Sequence, residues 1–177
     1  AAEIIRRLRN LVQKKTPGRE AIHIGEVVTE SVELFRVQGV TSPKLLTLDI
    51  EPGLPLIYGD SIQIQQVVLN LLMNAAEATV NLPDGRVPEI RVSAFLEDGD
   101  VVVSVKDNGE GISADGTDAI FDAYVTTKDT GTGLGLAISR TIVESHGGLI
   151  RAERIAPFGT RVRFTMPASG VGVARVG

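Results

Sequence analysis

The chain has 177 residues, 43% of them hydrophobic, a formal net charge of -4 and no cysteine. That length suits one domain, and the apolar share supports a sizeable core, which excludes a disordered chain. No basic excess points to nucleic acid or an anionic membrane, no disulfide or thiolate zinc site is available, and no apolar run approaches the roughly 18 residues of a membrane span.

The first segment, "AAEIIRRLRNLVQKK", has helical spacing, with Ile4, Leu8, Leu11 and Val12 on one face and arginines on the other. It starts without a Met and reads as the cut end of a longer helix. So short a helix with so narrow an apolar stripe needs a partner helix, upstream or in another subunit; a terminal helix packed on its own domain is the plain alternative. Residues 16–21 read as a polar linker and Ile22-His23-Ile24 as a short strand. Residues 25–38 read as a helix with Val27, Val28, Ser31, Leu34 and Phe35 on one face, and 45–51 as a strand broken by Pro52, Gly53 and Pro55. The strongest helix is predicted over 60–81. Asp60 and Gln63 start it as a capping box, and Ile64, Val67, Val68, Leu71, Leu72 and Ala75 form its apolar face. A turn at 83–85 leads to strands at about 88–97 and 100–107, joined by Asp98-Gly99, a tight hairpin signal. In the second strand Val101, Val103 and Val105 alternate with Val102, Ser104 and Lys106. Residues 107–133 form a long Gly-rich stretch, a length that points to function or mobility. A helix is expected over 134–146, stopped by Gly147-Gly148, then a final hairpin of strands 149–155 and 159–166 and a frayed tail over 169–177. Helices interspersed with hairpins predict an α+β two-layer sandwich with a mixed, mainly antiparallel sheet.

Four constellations carry chemistry. On helix 60–81, Asn70 and Asn74 share a face with Gln66 and Glu77. Asparagine is a poor mid-helix residue, so two in one stripe ask for a reason. A solvated polar face is the plain alternative to a ligand wall, in which an amide oxygen suits Mg²⁺. In "DNGEG", 107–111, Asp107 ends a strand, and Gly109 and Gly111 would let backbone approach a ligand. A carboxylate there can accept from an exocyclic amine such as that of adenine, although the same residues make a plain β-turn. In "IFDAYVTTK", 120–128, Phe121 and Tyr124 are apolar anchors and Lys128 is a compact charge suited to a terminal phosphate, or else a surface lysine. In "GTGLGL", 131–136, glycines directly precede a helix. Exposed N–H groups and the positive helix end together make an anion site.

In this order the four stretches resemble the N, G1, F and G2 boxes of the ATP-binding domain of sensor histidine kinases, of the Bergerat-fold superfamily that includes gyrase, Hsp90 and MutL. The resemblance covers roughly 22–167, and the TTK form with the "IIRRLRNLV" helix is similar to the FixL-like subgroup. It implies the Bergerat fold over 22–168, after a helix, 1–15, that ends the dimerisation and phosphotransfer bundle. It implies ATP and Mg²⁺ as cofactors, with Asn74 on the metal and Asn70 beside it on the phosphate side. Asp107 would bind adenine, with Gly109, Gly111 and Ile112 shaping that pocket, and Phe121 would anchor the loop. Thr127, Lys128, Gly131, Thr132, Gly133, Leu134, Gly135 and Leu136 would complete the phosphate side. Asn70, Asn74 and Lys128 would be the catalytic set. Hydrolysing members carry a Glu where this chain has Asn70, and an amide is no general base at neutral pH. Transfer to a histidine, then to a response-regulator aspartate, is therefore implied rather than hydrolysis. Neither His23 nor His146 fits the phosphoacceptor, and both read as structural, so this chain is not expected to phosphorylate itself. The implied partners are its own dimerisation domain, in a parent homodimer, and a receiver domain; the implied setting is cytoplasmic. A degenerate nucleotide-binding module and a stand-alone serine kinase or ATPase are the alternatives.

Overall fold

A computed structural model describes residues 18–39, 45–80, 82–113, 117–122 and 134–169. Within them, five strands form one mixed sheet in the order β2-β4-β5-β7-β6: β2 Leu46–Ile50, β4 Ile90–Glu97, β5 Asp100–Asp107, β6 Ile150–Arg154 and β7 Thr160–Pro167. Only the β2–β4 pair is parallel; the others are antiparallel, as the hairpin-rich sequence implies. Asp98 and Gly99 both take positive φ, 52° and 84°, the two-residue turn whose twist matches the strands it joins. Among the described residues three α-helices, α1 Ile24–Val37, α2 Ser61–Ala78 and α3 Gly135–Ser145, complete the second layer.

The core lies between the layers. Val101, Val103 and Val105 of β5 meet Ile64, Val67, Val68, Leu71 and Leu72 of α2, while Ile24, Val28, Val32 and Phe35 close one end. Burial of this apolar surface is the main driving term of the fold. Val102 and Ser104 point the other way, as alternation predicts, yet they are buried as well. The reason is position. β5 is the central strand, flanked across the ladder by Phe95 and Thr165 at Val102 and by Ser93 and Arg163 at Ser104. Arg163 is further tied to Glu97 by an ion pair.

Two readings of the sequence need correction. The strand expected at Ile22-His23-Ile24 is instead β1, Glu20–Ile22, so it begins inside the expected linker, and His23 is the N-cap of α1. Its partner is β3, Ile57–Gly59, a strand the Pro-rich stretch concealed. The helix expected at 1–15 lies outside the described residues. No helix among the described residues is long and apolar enough to cross a membrane.

His146 is structural, as expected, and its bonds say how. Nδ1 lies 2.7 Å from the Ile142 carbonyl, which can only accept, so that nitrogen carries the proton. Nε2 then accepts from the Asp60 backbone N–H at 3.0 Å, tying the end of α3 to the start of α2. A Cβ on Gly59 would stand 2.8 Å from the ring, so glycine provides the clearance. His146→Leu leaves the Asp60 N–H without an acceptor in a buried position and is expected to lower stability by about 2–3 kcal/mol, measurable by urea unfolding.

Candidate functional site

Helix α2 is the spine of the site. Asp60 caps it, its carboxylate accepting from the N–H groups of Ile62 at 2.9 Å and Gln63 at 3.2 Å. Its apolar face is buried, which leaves Asn70 and Asn74 half-buried along one edge, with Gln66 and Glu77 exposed. The Asn70 amide is engaged. Its Nδ2 donates to the Gly135 carbonyl at 3.2 Å and to Ser139 Oγ at 3.3 Å, on the first and second turns of α3. Asn74 makes no side-chain hydrogen bond among the described residues.

At the other end of α2 sits the turn after β5. Asp107 is 6% exposed, and its Oδ1 accepts from the Gly109 N–H at 2.8 Å. Gly109 is required for an internal reason: a Cβ there would meet the Ala78 carbonyl oxygen at 2.6 Å and the Ala78 Cβ at 2.9 Å. Gly111 takes φ 84°, and its Cβ would come 3.1 Å from the Gly159 carbonyl. Both glycines therefore press the Asp107 turn against α2 and against the β6–β7 turn, which sets where the carboxylate points. From Ala78 back to Asn70 is eight residues, a rise of about 12 Å. One helix thus holds the Asp107 turn at one end and the start of α3 at the other.

Two contributors were not legible as site residues. Asn108 read only as part of a turn. Its side chain accepts from the Glu89 N–H at 2.9 Å and donates to the Val87 carbonyl at 2.8 Å, while its own carbonyl accepts from Arg86 at 3.0 Å. The segment 86–89 is thereby fastened to the Asp107 turn, and the Arg86 guanidinium lies 3.8 Å from the Phe158 ring centroid. Thr160, 8% exposed, stands directly opposite Asp107 across the β5–β7 ladder. Only strand register could have found it.

On the remaining side, Phe121 ends a short 3-10 turn, Ala119–Phe121, and is 3% exposed. The Arg140 guanidinium lies 5.8 Å from its ring centroid. Leu134 is the N-cap of α3 but supplies no side-chain cap, and the first turn of α3 holds no acidic residue. Leu136 packs against the core, and Ile112 is half-buried beside Gly111. A Cβ on Gly135 would sit 3.9 Å from Asn70 Cγ, an ordinary contact, so clearance from α2 does not demand this glycine. Tyr124, Thr127, Lys128, Gly131, Thr132 and Gly133 lie outside the described residues. The described part of the site thus has an acidic, buried end at Asp107, an amide edge along α2 and an uncapped helix N-terminus at α3. No group of three or more His, Cys, Asp or Glu able to hold a metal occurs among the described residues.

The profile of the family described as Histidine kinase-, DNA gyrase B-, and HSP90-like ATPase matches residues 59–170. The chain is 36% identical over 169 residues to the Sensor protein FixL of Bradyrhizobium diazoefficiens, covering 96% of this chain and 33% of that protein. It thus spans about a third or less of the length of the curated relatives it matches. Among solved structures, the catalytic domain of histidine kinase ThkA is similar with a TM-score of 0.72 and 29% identity, over 85% of this chain and 98% of that one. Full-length ShkA in complex with AMPPNP is similar with a TM-score of 0.71 and 26% identity, over 88% of this chain and 32% of that one. With a family profile matched over more than half of its length and the fold shared with histidine kinase catalytic domains, the chain belongs to the histidine kinase-, DNA gyrase B- and HSP90-like ATPase family.

Proposed function

We propose that this chain binds Mg-ATP along the α2 edge and presents the γ-phosphate to a histidine on a dimerisation domain, for onward transfer to an aspartate of a receiver domain. The observation that carries the reading is the placement of Asn74 and Asn70 on one helix, with the Asp107 turn packed against one end of it and the N-terminus of α3 bonded to Asn70. Asp107 accepts from the adenine amine; guanine presents an acceptor there and is refused. Lys128 and the backbone of Gly131, Gly133 and Gly135 take the phosphates, and the α3 N-terminus adds its dipole. The likeness to ShkA, solved with AMPPNP, and to sensor kinases such as FixL supports a phosphotransferase.

The residues fit a magnesium ion. Asn74 offers a neutral amide oxygen with no competing hydrogen bond among the described residues, and Mg²⁺ takes only one or two protein ligands beside phosphates and water. When bound, the ion would neutralise phosphate charge in a loose transition state. Asn70 cannot take a proton from water, so the site favours transfer over hydrolysis. Incubated with γ-labelled Mg-ATP, the chain is expected to retain the nucleotide largely intact and to carry no acid-labile phosphohistidine of its own. Rapid multiple-turnover release of phosphate would instead support a hydrolysing ATPase.

A further inference from the structure

Ser139 stands out among the buried polar groups. It is 0% exposed, and nothing in its sequence context marks it as part of a nucleotide site. Its hydroxyl donates to the Gly135 carbonyl at 2.9 Å, a common back-bond for a helical serine. The same oxygen also accepts from the Asn70 amide at 3.3 Å, while that amide donates to Gly135 O at 3.2 Å. A carbonyl can only accept, so the Asn70 nitrogen must face α3, whichever way the amide is first drawn. The Asn70 oxygen is thereby turned away from α3 and has no hydrogen bond among the described residues.

We propose that Ser139 is a positioning residue for metal-nucleotide binding: with the Gly135 carbonyl it clamps the Asn70 nitrogen to α3, so that the Asn70 oxygen faces the metal and phosphate side in one fixed orientation. The clamp also joins the amide edge of α2 to the helix whose N-terminus serves the phosphates. It accounts for an amide at position 70, since a carboxylate there would set an oxygen against the Gly135 carbonyl. The inference rests on the Mg-ATP reading above and assigns a further residue to that site.

The test compares Ser139→Ala and Ser139→Cys with the parent chain by calorimetry, using AMPPNP with excess Mg²⁺ and, separately, ADP in EDTA. Cysteine keeps the side-chain shape, somewhat enlarged, but is a weak acceptor, whereas alanine removes the acceptor without adding volume. Both variants are expected to raise Kd for Mg-AMPPNP about fivefold, the loss of about one net hydrogen bond, and to leave ADP in EDTA within about twofold. Placed on Asn70→Ala, the Ser139→Ala change is expected to add nothing. A merely structural serine predicts that Cys binds like the parent, or that both ligands weaken alike, or that the two substitutions act additively; any of these overturns the proposal. Should the parent chain bind neither ligand, the Mg-ATP reading fails first and the clamp falls with it. Parent binding with unchanged variants rejects the clamp alone.

Discussion

Asp107→Asn is expected to weaken binding of Mg-AMPPNP by about 10- to 100-fold, the range of one hydrogen bond to a charged acceptor. The substitution is selective because of how Asp107 is held. An asparagine oxygen can still accept from the Gly109 N–H now bonded at 2.8 Å, so the turn is retained. What is lost is the carboxylate that, on the proposed reading, accepts from the adenine amine. Urea unfolding is expected to show a near-native midpoint, while calorimetry shows the lost affinity. Unchanged affinity would mean that Asp107 serves only the turn.

A large effect on stability is expected from Gly159→Ala. Gly159 takes φ 119°, a conformation in which an L side chain is strained. A Cβ there would also collide with the Asp107 carbonyl oxygen, which belongs to the ladder and cannot move alone. Strain and overlap together are expected to remove about 3 kcal/mol or more, a Tm drop of about 6–12 °C for a chain of this size. The Asp107 turn lies directly against Gly159, so nucleotide affinity should fall with stability. A variant with parental Tm in a thermal scan would show that the β6–β7 turn can shift without disturbing β5.

These outcomes bear on what the sequence can reveal. Helix α2 was legible because its apolar residues recur at helical spacing and Asp60 supplies a cap whose bonds are local. The β4–β5 hairpin was legible because Asp98-Gly99 is itself the turn. The β1–β3 pair was not: each strand has three residues, and the pairing joins segments far apart in the chain. The same distinction divides the site. Asn70, Asn74 and Asp107 stood out because their residue types are costly or unusual where they sit. Thr160 and Ser139 have ordinary types in ordinary contexts, and their importance comes only from facing Asp107 and Asn70 across the fold. Gly109 and Gly111 were expected to give a ligand room; what the fold shows is that they bring loop, helix and turn into contact. The four motifs in their order supplied the resemblance to a family, but not the internal bonds that fix their geometry.

The most direct measurement is a calorimetric titration of the chain with AMPPNP and, in parallel, GMPPNP, both with excess Mg²⁺. A site built on Asp107, Asn74 and Asn70 predicts saturable one-to-one binding of the adenine nucleotide and no detectable binding of the guanine nucleotide. Equal affinity for the two, or no binding of either by a folded chain, would contradict it.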